Sequence, residues 1–219
     1  MSAEEAWDFI AGRYDNYQGH LKLFGYGYKQ FIPNHPAIIE MYGTESLSEE
    51  QFANYRKIFI NEIYNENDLR RLDSAIKEKG TPALRAAADI LLPMVYGWGA
   101  EIPAQLEIQT TYGCGGSYWT EKPIIIYRMT EHKAEYTAKL LQHEFIHILI
   151  EQPIIQKYNV PQNLKERIVD IVGFEYFDKP VQPLFENSFA NNYITREVIE
   201  NNLPSAVEKM MADYTADKK

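Results

Sequence analysis

Only one cysteine, Cys114, occurs in this chain of 219 residues, so no disulfide can close within it, and that usage fits a reducing compartment. Long apolar runs are also missing: no stretch approaches the about 20 residues that a membrane-spanning helix needs. Basic residues are outnumbered by acidic ones, 22 to 31. The resulting net charge of −9 argues against nucleic acid or an anionic membrane as partner, because both require a basic face. Basic peptides remain open. Residues 1–7 lack a basic segment followed by an apolar one, so no signal peptide is expected. The expected location is cytoplasmic, or secreted if a leader has been removed.

What is present suits a water-exposed globular chain: 45% hydrophobic and 24% charged residues. With no repeat or low-complexity tract, one domain over residues 1–219 is the simplest organisation. Residues 1–95 read as mostly helical, from the spacing of Ala6, Trp7, Phe9, Ile10 and Tyr14 onward. Phe24-Gly-Tyr-Gly-Tyr28 reads as an irregular stretch. Ser48-Glu-Glu-Gln51 is a capping box for a helix continued by Phe52, Tyr55, Ile58, Phe59 and Ile63. A further helix, Asp68 to Lys79, is expected to stop at Gly80; another, capped by Thr81, is expected to end at Pro93. The alternation in Ala104 to Thr111 argues a half-buried strand, with more strand material at Ser117–Trp119 and Pro123–Tyr127. A long helix then runs from about Thr130 to Gln152, ended by Pro153, and another from Asn163 to about Phe177. Residues 178–219 read as helical again. The expected fold class is therefore α+β.

Inside the long helix lies His143-Glu144-Phe145-Ile146-His147, spelling H-E-x-x-H within an apolar run from Leu140 to Ile150. Histidines four apart share one helix face, so two imidazoles can reach one metal ion. Glu144, beside the first of them, can take a proton from a water held by that metal. Zinc with an open coordination position and a neighbouring carboxylate makes a hydrolytic centre. The plain alternative is a pair of core histidines, and burying them with a glutamate but no metal is costly.

Catalytic zinc usually takes three protein ligands. Glu166 follows His147 by 19 positions (166 − 147), enough for a loop and a returning helix, and Asp170 lies one turn further on. Asp170 could accept a hydrogen bond from a ligating imidazole. Glu166 could instead close a capping box on Asn163. Glu175 is a rival ligand, whereas Glu151, four past His147 on the same helix, cannot close the site from another direction.

The pattern from Leu140 to Gly173, H-E-x-x-H followed by E-x-x-x-D, resembles the thermolysin-like gluzincin zinc metallopeptidases. The resemblance implies zinc held by His143, His147 and Glu166, with Glu144 as general base and Asp170 supporting a ligating histidine. It implies a zincin-like fold as well: a small mixed sheet whose edge strand lies over the active-site helix. A peptide or protein substrate would pair with that edge, for which Gly115, Gly116, Ser117 and Tyr118 are the candidates. Cys114 beside them could reach the metal, though a buried inert cysteine is the alternative. No histidine follows His147, so the family's usual oxyanion donor is lacking. Tyr193 and Arg196 are the candidates for that role, with Tyr158 and Tyr176 behind them. The expected activity is hydrolysis of peptide bonds, more endopeptidase than exopeptidase. The alternative is a non-catalytic protein that keeps the scaffold to bind a peptide or a partner.

Overall fold

The computed structural model describes residues 1–12, 14, 32–112, 116–129, 136–178 and 188–217. The fold is α+β, 71% helical, with one small mixed sheet. Its strands are β1 (Glu107–Tyr112), β2 (Gly116–Trp119) and β3 (Ile124–Met129), in the order β1–β3–β2. Among the described residues β2 is therefore an edge strand. Phe24 to Tyr28, Cys114, Gly115 and the expected helix start at Thr130 lie outside the described residues.

Packing divides the chain into two compact units. The boundary at Lys77–Glu78 falls inside the stretch 1–95 that the sequence suggested as one helical part. The first unit takes in Met1–Lys77, Ile108–Ser117 and Ile126–Ala134. Its helices are α1 (Ala3–Ala11), α2 (Pro36–Gly43), α3 (Glu49–Ile58) and α4 (Glu66–Ala75). Ser2 and Glu5 form a full capping box on α1, and Ser48 and Gln51 form another on α3. Each satisfies backbone donors that a helix start leaves open. Trp7, Ile10, Ile38, Met41, Tyr42 and Phe59 then meet in an apolar core. Phe59 opens a π-helical turn, Phe59–Ile63, which ends α3.

The second unit takes in Glu78–Glu107, Tyr118–Ile125 and Glu135–Lys219. Its helices are α5 (Thr81–Trp98), α6 (Tyr136–Ile150), α7 (Gln162–Phe177), α8 (Arg196–Asn201) and α9 (Leu203–Ala216). α6 packs between α5 and α7. Three boundary expectations are corrected here. Gly80 is itself the N-cap of α5 and has right-handed helical angles, so Thr81 is the first helical residue and not the cap. α5 runs through Pro93 to Trp98. Pro93 and Asp89, whose carbonyl loses its usual partner, are both solvent-exposed, while Leu91, Met94, Val95 and Trp98 hold the buried face on either side. The helix ends at Gly99, whose φ of +75° is a left-handed cap that glycine adopts without strain. Pro153 likewise does not stop the chain's coiling: it lies within a π-helical turn, Glu151–Gln156, that extends α6.

Candidate metal centre

α6 buries Leu141, Phe145, Ile146, Leu149 and Ile150, as its apolar sequence requires. Glu144 and His147 are buried with them. α7 buries Leu164, Ile168, Val169, Ile171 and Val172, and with them Asp170, which is fully enclosed. Such polar groups persist in a core only when partnered. The helix pair supplies part of that partnering: His147 meets His143 and Glu166, and Asp170 faces His143.

His143, His147 and Glu166 converge. Nε2 of His143 lies 3.1 Å from Nε2 of His147. Oε2 of Glu166 lies 3.3 Å from the first and 3.4 Å from the second. Among the described residues these three form a group that could hold a metal ion. A tetrahedral ion about 2.0–2.1 Å from its ligands separates them by about 3.3–3.4 Å along each edge. The two histidine–Glu166 separations match that edge and the histidine–histidine one is about 0.2 Å shorter, so the donor atoms sit close to three corners of such a tetrahedron. Their side chains are 11%, 2% and 18% exposed, so the group is largely enclosed.

The charges around the group are consistent with that geometry. Burial pushes the Glu166 carboxyl toward its neutral form, yet hydrogen bonds from His143 and His147 outweigh burial and hold it well below the usual carboxylate range. Its other oxygen accepts from Nε2 of Gln162 at 2.6 Å. α7 begins after Pro161 with no side-chain cap, so the capping-box alternative for Glu166 is not the one the chain adopts. Asp170 faces Nδ1 of His143 at 3.7 Å, within reach of charge attraction though longer than a hydrogen bond.

The remaining candidates fall into two sets. Tyr118 on β2 lies at the centre, its ring stacked on His147 with centroids 4.7 Å apart. Burial raises its phenol well above the usual range, helped by the hydrogen bond to Glu151 and by the charges of Glu151, Glu166 and Glu144. Glu144 is therefore electrostatically close to Tyr118. Gly116 and Ser117 are half-buried on the same strand. Tyr193 and Arg196 are engaged elsewhere. The Tyr193 hydroxyl donates to Asp213, 2.8 Å away, and Arg196 donates to Glu200 while covering the Tyr176 ring. Nor do they share a helix face: Tyr193 precedes α8, and Arg196 is its first residue. Glu175 and Glu151 are outside the group, and Glu151 instead accepts from Tyr118.

Lys165 is the residue that reading the sequence missed. Its Nζ reaches the Tyr118 hydroxyl at 3.0 Å and Glu151 at 3.5 Å. Its place directly before Glu166 was the available signal. No protein-family model, curated protein or solved structure matches this chain.

Proposed function

We propose that this chain is a zinc-dependent peptidase of gluzincin type, with the zincin-like arrangement that the motif resemblance implies. The observation that carries the reading is the mutual spacing of the two Nε2 atoms and Oε2, 3.1 to 3.4 Å, close to the edge of a zinc tetrahedron, in side chains 2 to 18% exposed. Two imidazoles and one carboxylate are a donor set suited to zinc, and three protein ligands leave one coordination position for chemistry. Zinc bound there would polarise a scissile carbonyl and lower the pKa of its water toward about 7.

The chain's own groups supply the rest. His143, His147 and Glu166 would hold the cation, and Asp170, facing Nδ1 of His143, would help orient it. Glu144, one residue after His143 and buried, would accept the proton of the attacking water and pass it to the leaving amine. β2, at the edge of the sheet among the described residues, would offer main-chain groups to an extended peptide, a sequence-tolerant mode suited to an endopeptidase. Metal analysis of the purified protein, with casein hydrolysis followed with and without a zinc chelator, tests this. About one zinc per chain and chelator-sensitive turnover are expected, both lost in His143→Ala. Zinc without turnover would favour the peptide-binding alternative, and no bound metal in the native protein would discard the reading.

A further inference from the structure

The two histidines of the centre are held differently. His143 has Asp170 facing its Nδ1. Nδ1 of His147 is buried and meets no hydrogen-bond partner among the described residues. A metal-bound imidazole ordinarily donates its second N–H to a carboxylate, a carbonyl or a water, and that bond sets both tautomer and ring rotation. Without one, the His147 ring needs another restraint to keep Nε2 on the cation.

The restraint lies on its face. The Tyr118 ring is parallel to His147 within 9°, with centroids 4.7 Å apart. An imidazole rotating about its Cβ–Cγ bond would drive one edge into that phenol ring. Tyr118 itself is pinned at its far end. Its hydroxyl donates to Oε2 of Glu151 and accepts from Nζ of Lys165. The pins stand on both ligand-bearing segments, since Glu151 follows His147 by one turn and Lys165 directly precedes Glu166. Lys165 and Glu151 also pair with each other, at 3.5 Å, so neither charge is left alone in a largely buried place.

We propose that Tyr118, clamped by Glu151 and Lys165, is the positioning residue that fixes the His147 ring and so presents its Nε2 to the cation. The inference rests on reading the group as a zinc site. It assigns Tyr118 a role at the metal ligand beyond that of a strand residue beneath substrate. Because the restraint is a ring face, phenylalanine should retain most of it and leucine little. Because the pins restrain the phenol, removing them should loosen the ring without removing it.

The test uses the whole chain, with zinc and cobalt(II) affinities from chelator competition and the visible spectrum of the cobalt-loaded protein. Tyr118→Leu should weaken metal binding about 10- to 100-fold, the range for groups that orient a metal ligand, and should shift the cobalt bands. Tyr118→Phe and Lys165→Met should each weaken it only severalfold. Rescue by phenylalanine, in variants whose far-ultraviolet circular dichroism matches the parent, separates ring positioning from general loss of structure. If the leucine variant does not fold, Lys165→Met decides, a severalfold weaker affinity with shifted cobalt bands supporting the clamp and the parent's affinity and spectrum overturning it. A folded leucine variant with the parent's affinity and spectrum overturns the clamp alone. A parent protein that takes up neither ion overturns the zinc reading and the clamp together.

Discussion

The two units bury different things. In the first, the core is aromatic and aliphatic, and its polar atoms belong mostly to tyrosines that bond to backbone. Tyr42 donates to the Ile10 carbonyl at 2.6 Å, Tyr14 to the Thr44 carbonyl, and Tyr112 to the Asn65 carbonyl at 3.1 Å. Among the described residues, every buried charged side chain lies in the second unit: Glu144, Arg167 and Asp170, with His147 beside them. Burying an apolar ring stabilises a fold by about 1.5–3 kcal/mol, whereas taking an ion out of water costs several kcal/mol before any pairing. The first unit's core is explained by folding alone. The second unit's core carries a cost that folding does not require, which is why chemistry is sought there.

Two substitutions of similar energetic size should separate along that line. Glu144→Gln keeps shape and burial but removes the proton acceptor. Peptidase turnover should fall by about 10²- to 10⁴-fold, the usual worth of a positioned general base, with zinc content unchanged. Casein hydrolysis and metal analysis on one preparation check this, and turnover at the parent's rate would remove Glu144 from the mechanism. Phe59→Ala in the first unit should do the reverse. Phe59 is fully buried, with Trp7 and Tyr112 rings 5.8 Å and 5.3 Å away by centroid. Its truncation should cost about 3–5 kcal/mol in denaturant unfolding while zinc affinity of the folded protein stays at the parent's value. A weakened metal site there would dissolve the distinction between the units.

How much of this was legible in the sequence follows from the range of each interaction. Capping boxes are short-range, so Ser48 and Gln51 stand as their spacing implied. H-E-x-x-H is local too, and one helix turn brings its histidines together. Glu166 needed a returning helix, which the intervening residues allowed but did not dictate, and its spacing also fitted a capping box. The prolines misled because their effect depends on surroundings. Pro93 is harmless where its helix meets water, and a π-helical turn takes up Pro153. Tyr193 and Arg196 looked paired only if one helix held both. The Tyr118–Glu151–Lys165 arrangement joins a strand to two helical segments, and no local pattern encodes it.

Asp170 offers a finer cut through the second unit. Asp170→Asn keeps the volume and removes the charge facing Nδ1 of His143. Zinc affinity should fall about 10- to 100-fold, because a neutral amide orients the imidazole less firmly and no longer raises its basicity. Chelator competition measures it. Affinity equal to the parent's would mean that Asp170 serves packing and not the metal.

The smallest effect sets a surface phenol of the second unit against a core phenol of the first. Tyr176 is pushed up to about 12, first by partial burial, then by its hydrogen bond to Glu200 at 3.0 Å and by that carboxylate's charge, with Arg196 opposing. Tyr112 is also raised, chiefly by burial, but its hydroxyl bonds to neutral backbone. A phenol whose folded pKa exceeds the unfolded value of about 10 stabilises the fold fully below pH 10. That contribution is lost as pH rises from about 10 toward 12, because the unfolded chain ionises first. Glu200→Gln should bring Tyr176 back toward 10 and leave Tyr112 where it is. Phenolate absorbance near 295 nm, compared with and without Tyr176→Phe, isolates the one group. If Tyr176 kept its raised value without the carboxylate, burial alone would govern it, and the charge-based contrast between the two phenols would fail.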